Sequence, residues 1–466
     1  MKAAPAVRAA LALAGAAASR AQAHGFDERY DLPVPLAWVV AGACAVVLLT
    51  FVAAVLFARR GPIPDTRPFG IELGLPRRVL WLSRALAWAL FALAIAAALW
   101  GSQDPLMNLA PTLVWIVWWL GLSFGSALIG NLWAALDPWR TTFEMIDTAT
   151  RRLGWRHAGP PRWSWPAALG QWPAVALLLA WCWLEVVHPL ASTPFKLGCA
   201  ALLWTAVNVG GMLAFGRAAW QAHADVFAVV FSTLGRMAPL RLRMDAVAPT
   251  PAPAGQVAFV MAMLAGVVFD GLHGGAAWML FEGALRKTVP QWLDVNGLVA
   301  GTAGLLAVWL AFLLAYLATL RLSQRLMQPA SVGAAALAVT LVPIALAYSV
   351  AHNFSSLLTQ GQAVFGLLSD PFGRQWDLFG TARWMPDMGL VDARLTWFVA
   401  VTAIVAGHGV SIWWSHRVVL AAGVPPRRAA IAMLPLMALM VAYTAVSLTL
   451  IAEPTVLGSP HAPGGE

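Results

Sequence analysis

Glu185 with His188, and Asp270 with His273, repeat one arrangement: a carboxylate and an imidazole three residues apart near the end of an apolar run. Ionisable groups at membrane depth are costly, so each pair calls for a reason. Three residues turn an α-helix through about 300°, which puts both side chains of a pair on one face. Carboxylate oxygen and imidazole nitrogen on one face suit a divalent ion such as zinc or copper, or let the carboxylate orient the imidazole. His352 closes a later apolar run, and His24 follows Ala21-Gln22-Ala23, the A-x-A pattern of leader cleavage. A mature chain beginning at His24 would offer its α-amine and its imidazole to the same ion. The candidate metal ligands are therefore His24, Asp270, His273, His352, Glu185 and His188. The plainer reading of each pair is a hydrogen bond stitching helices together, and of His352 a helix cap.

Segment 353–393 reads as a long outer loop dense in Gly, Asp and Trp, and ordered loops of that length usually bind something. Within it Asp370 and Asp377 are candidate catalytic bases, and Phe372, Trp376 and Phe379 a wall for an apolar substrate. The alternative is that both aspartates cap local backbone. His408, between Gly407 and Gly409, is a candidate proton relay or inner ligand, with a helix–helix hydrogen bond as the plainer role. His416, two turns further on, is expected at the interface. Gly121-Leu122-Ser123-Phe124-Gly125 matches the serine-hydrolase elbow, but that elbow joins a strand to a helix and this copy lies inside an apolar run. It is discounted. No phosphate-binding loop, dinucleotide fingerprint or haem-attachment motif occurs, which argues against nucleotide-driven chemistry.

The elements that must hold these residues are membrane helices. Apolar residues make up 60% of the chain, charged residues 11%, and mean hydropathy is +0.72, more apolar surface than a soluble chain of this size hides. Runs long enough to cross fall at 35–58, 79–100, 111–130, 168–188, 197–216, 256–279, 297–320, 331–352, 395–416 and 430–452. The expected fold is all-α, a polytopic bundle of about ten spans. Met1–Ala23 reads as a signal peptide, residues 24–452 as one transmembrane domain and 453–466 as a disordered tail. With the mature N-terminus outside, nineteen basic residues fall in inner loops and seven in outer ones, which predicts N-out and C-out. Inner loops 131–165 and 217–255 are each expected to carry an amphipathic stretch at the interface, with Trp133 and Trp139 as anchors. The second ends in the proline-rich spacer Pro249–Pro253. Cys44, Cys182 and Cys199 lie within spans without C-x-x-C spacing, so no disulfide framework is expected. The loops account for the net charge of +9, and no basic stripe interleaved with aromatics marks a nucleic-acid surface. The expected partners are the lipid bilayer and a small apolar substrate, with no nucleic acid and no nucleotide.

Several stretches carry a family resemblance. Ala23-His24-Gly25, Asp31-Leu32-Pro33-Val34-Pro35, Phe269-Asp270-Gly271, Ala351-His352 and Gln360-Gly361-Gln362 are among them. So are Ser369-Asp370-Pro371-Phe372-Gly373, Trp376-Asp377-Leu378-Phe379-Gly380-Thr381, His408 and His416. Nearly end to end, and most specifically after His352, the chain resembles the fenitrothion hydrolase family of bacterial integral membrane proteins. The resemblance implies an inner-membrane organophosphorus hydrolase that cleaves the P–O aryl bond of a neutral thiophosphate triester and releases a nitrophenol. A metal-activated water at the periplasmic face is compatible with that chemistry. The competing expectation is uptake or delivery of a transition metal such as copper by the same His/Asp cluster.

Overall fold

The computed structural model describes residues 35–57, 71–74, 76–154, 161–243, 252–290, 292–293 and 297–452. The expected leader, His24 and the tail 453–466 lie outside the described residues, as does most of the Pro249–Pro253 spacer. In chain order the helices are α1 (Leu36–Phe57), α2 (Arg77–Trp100), α3 (Leu109–Ile129), α4 (Pro138–Arg152) and α5 (Trp172–Val187). Next come α6 (Pro194–Phe215), α7 (Arg217–His223), α8 (Val226–Gly235), α9 (Gln256–His273) and α10 (Ala276–Thr288). The last four are α11 (Leu298–Met327), α12 (Val342–Thr359), α13 (Ala393–Ala421) and α14 (Pro426–Ala452).

Among the described residues nine helices are long and apolar enough to cross a membrane: α1, α2, α3, α6, α9, α11, the stretch Ala334–Ser369 that contains α12, α13 and α14. α5 is a shorter apolar helix in the place of the tenth. The chain is thus an all-α, polytopic membrane bundle. Caps start its elements: side chains of Asn108, Asp137, Asp225 and Asp392 accept backbone N–H bonds at the beginnings of α3, α4, α8 and α13. Outward faces stay apolar, as on α1, where Leu48, Leu49, Val52 and Leu56 are exposed for lipid to solvate. α9 is the central helix, buried from Ala258 to Gly266 and packed on α5, α11 and α12. α12 lies most closely on α13, where Gly407 leaves room for Ala347 and the Pro343 carbonyl.

Several expectations change. α9 ends at His273 and the chain turns at Gly274 and Gly275 into a separate helix α10, so the 256–279 span is really two elements. α11 runs on to Met327, and helix continues past His352 to Thr359 and resumes over Ala363–Ser369, which shrinks the 353–393 loop. Two four-residue strands, β1 (Ile71–Gly74) and β2 (Leu240–Arg243), pair in parallel, Ile71 opposite Leu240. The largest correction concerns the two loops expected on the inner side. α4 is amphipathic, as expected, with Pro138 and Trp139 buried at its start. α8 is instead buried almost throughout.

Phe227 of α8 explains that burial. Its ring centroid lies 4.8 to 5.9 Å from those of Trp118, Trp119, Trp133, Trp139, Trp181 and Trp204. Trp133 and Trp139, expected as interfacial anchors, are 2% and 1% exposed and belong to this aromatic nest. Indoles pack there because their large faces fill the space between α3, α5, α6 and α8 with dispersion contacts.

Beside the nest, two capping aspartates are buried together. Asp137 accepts from the N–H groups of Trp139 and Arg140 and from Gln221 Nε2 at 2.7 Å; Asp225 accepts from those of Phe227 and Ala228. Burial pushes the Asp137 carboxyl up to about 6, against the opposing pull of its hydrogen bonds and Arg140. Burial, then the nearby Asp137, pushes Asp225 well above the usual carboxylate range. The folded protein therefore keeps a proton on Asp137 that the unfolded chain loses near 3.8. This stabilisation is complete below about pH 4 and is lost as pH rises towards 6. Asp137→Asn is expected to flatten that decline, on the order of 2 kcal/mol, in unfolding measured in detergent from pH 4 to 7. An unchanged slope would remove Asp137 as its source.

Candidate active site

Asp270 lies one turn before the end of α9, and His352 on the adjoining face of α12. His352 Nε2 sits 3.2 Å from Asp270 Oδ2, a hydrogen bond that joins the two helices. Both side chains are partly exposed, at 25% and 33%. The contact depends on a close approach at Gly271, where a Cβ would fall 2.3 Å from Tyr348 Oη. The Tyr348 ring in turn lies near-parallel to that of His352, 6.2 Å between centroids. Gly271→Ala is expected to push Tyr348 aside and cost about 1–2 kcal/mol of stability, part of which Tyr348→Phe should restore. A double-mutant cycle on unfolding midpoints checks this; simple additivity would refute the collision.

Glu185 stands on α5 within electrostatic reach of Asp270, and it accepts a hydrogen bond from the Trp119 indole. Cys182, one turn earlier, occupies the space left by Gly266 of α9. α5 is tied to α11 at this level by Trp183 Nε1 donating to Thr302 Oγ1 at 2.8 Å. Trp183–Val187 is π-helical, and the His188 N–H bonds back to the Trp183 carbonyl five residues before it. His188 is already extended, with its ring against Trp183 at 4.8 Å. The expected shared face of Glu185 and His188 fails for that reason: a π turn advances less per residue than an α turn, and the helix ends between them.

His273 departs similarly. Its ring packs between those of Phe269 and Trp278, at 5.5 and 5.4 Å, although it feels the charges of Glu282 and Asp270. Asp370 spends its oxygens on the N–H groups of Arg374 at 2.8 Å and Gln375 at 2.7 Å. Asp377 accepts from Ser369 Oγ at 2.9 Å and from the Ala382 N–H at 3.0 Å. These bonds hold its carboxyl below the usual range and make it a weaker base. Both aspartates thus act as turn caps in a loop seated on the end of α2, where the Ser102 N–H bonds to the Phe372 carbonyl. His408 and His416 are both buried on α13, each 1% exposed.

The structure therefore brings Asp270 and His352 together, with Glu185 near them, and leaves His188 and His273 packed against indoles. His24 lies outside the described residues. Among the described residues no group of three or more His, Cys, Asp or Glu is placed to hold a metal ion. A cavity of about 240 Å³ between α2, α3 and α6 is lined by Leu90, Ala94, Leu113, Val117 and Trp118, among others, and by none of the candidate ligands. Asp225 was missed in the sequence; its place just before a ten-residue apolar stretch was the available signal.

Comparison with known proteins finds no matching family model, no similar curated protein and no similar solved structure. What fold and site define together is a class: a multi-pass membrane protein with a carboxylate–imidazole pair between two of its helices.

Proposed function

We propose that this chain is an inner-membrane hydrolase of lipophilic organophosphorus triesters, working at the periplasmic face with Asp270 and His352 as its acid–base pair. The supporting observation is the 3.2 Å contact between them, partly open and flanked by Tyr348. A neutral triester with a nitrophenyl group needs little help at the leaving oxygen, since nitrophenolate departs as a stable anion. The demand falls on water. With its Nε2–H given to Asp270, His352 keeps the lone pair on Nδ1, where it takes a proton as water oxygen bonds to phosphorus. The P–O aryl bond breaks and the aryloxide carries off the electron pair. Asp270 fixes the tautomer and offsets the imidazolium charge.

The described residues supply no complete ligand set for an ion, so the mechanism takes no step through one. Metal analysis of the purified protein checks whether a divalent ion joins the pair. The full chain in detergent or vesicles is expected to release nitrophenolate from a nitrophenyl dialkyl thiophosphate faster than protein-free controls. Release at the control rate would overturn the reading.

A further inference from the structure

Three arginines from three helices meet on one carboxylate. Glu144 of α4 lies 2.9 Å from Arg140 Nε and 3.7 Å from Arg84 Nη1 of α2, and it accepts a hydrogen bond from Arg217 at the start of α7. Asp147, further along α4, pairs with Arg151 at 2.9 Å. Asp137 feels the charge of Arg140 and is buried among its own hydrogen bonds. Counting it as fully ionised still leaves three guanidiniums against two carboxylates. Trp81, one turn before Arg84, is 66% exposed and sets the level of the cluster, since exposed indoles favour the headgroup boundary.

The 240 Å³ cavity between α2, α3 and α6 begins beside this cluster. Ser83 and Pro138 line one end of it, the first adjacent to Arg84 and the second two residues before Arg140. From there it follows α2 to Ala98, about 22 Å along the helix. That exceeds half of a hydrocarbon core about 30 Å thick. Its inner wall is apolar and buried at Phe91, Ala94 and Leu197, while Leu86 on its rim is 61% exposed, so it opens sideways towards lipid. Water finds few polar partners along such a wall, whereas a hydrocarbon chain gains dispersion contacts there.

We infer that this groove holds one acyl chain of an anionic phospholipid, whose phosphate meets the guanidiniums of Arg84 and Arg217. The two parts of the site suit the two parts of that molecule. Arginine offers a phosphate paired N–H donors in a fixed fork, and basic pockets between membrane helices hold anionic headgroups. A neutral triester would fill the groove and leave the surplus positive charge unanswered; a free phosphate would do the reverse. Neither Asp270 nor His352 lines the groove, so the lipid site does not depend on what that pair acts upon.

The test titrates the full chain in an uncharged detergent with dioleoyl phosphatidylglycerol, dioleoyl phosphatidylcholine or glycerol phosphate, and counts bound molecules by native mass spectrometry. Wild-type protein is expected to bind phosphatidylglycerol about tenfold more tightly than phosphatidylcholine, and glycerol phosphate far more weakly than phosphatidylglycerol. Arg217→Gln should weaken phosphatidylglycerol alone, by about fivefold, and Arg217→Lys should keep most of its binding. Ala94→Leu, which fills the groove, should weaken both lipids about tenfold. Should either variant misfold by circular dichroism, Arg84→Gln and Ala87→Leu decide instead. Equal binding of the two lipids, an unaltered preference in the folded arginine variant, or wild-type binding in the folded groove-filling variant would overturn the assignment. So would glycerol phosphate binding as tightly as the lipid, or displacement of the lipid by a neutral nitrophenyl thiophosphate.

Discussion

Asp270→Asn is expected to lower the turnover of a nitrophenyl thiophosphate by about 10²–10⁴, with little change in KM. Asparagine has nearly the same shape but can present its amide N–H where His352 Nε2–H needs an acceptor. The ring then turns over or changes tautomer, and Nδ1 no longer holds its lone pair ready for water. His352→Gln is expected to cost as much. The two side chains act as one unit, so the double variant should be no slower than the worse single variant, and Asp270→Glu should retain part of the activity. Multiplying losses in the double variant would mean that the residues act separately, and undiminished turnover in Asp270→Asn would end their catalytic assignment.

Phe227→Ala is expected to cost about 3 kcal/mol of stability. Six indole rings close on this one side chain. Helices in lipid gain little from hiding apolar surface, since acyl chains solvate it as well; they gain from packing. The cost is therefore mainly the hollow left among rings that cannot collapse together. Phe227→Leu, which refills most of the space, should cost about 1 kcal/mol. Unfolding in detergent micelles measures both, and a Phe227→Ala variant as stable as wild type would show that the nest repacks freely.

The bundle was largely legible because runs of about twenty apolar residues have few other uses. Element ends were less so: α9 stops at His273, while apolar character runs on through Ala276, Ala277 and Trp278. α8 was hidden for another reason. The ten uncharged, mostly apolar residues between Asp225 and Arg236 are too few to cross, and the partners on α3, α5 and α6 bury them. Trp133 and Trp139 misled because indoles usually prefer the headgroup boundary, a preference that packing overrode. At the site, Asp270 and His352 were both picked out, but spacing reports only neighbours on one helix. It paired Asp270 with His273, whereas the structural partner stands on another helix, eighty-two residues along the chain.

The position of α8 also bears on how the protein is made. Ten helical residues reach about 15 Å, half the hydrocarbon thickness, and alone in lipid would leave the amides at one end without partners. This segment must wait for a prepared niche before it leaves water. Every tryptophan that touches Phe227 precedes it in the chain, so the niche has already emerged from the ribosome when Val226 does. The first half of the molecule can close on its plug before α9, and with it Asp270, has been synthesised.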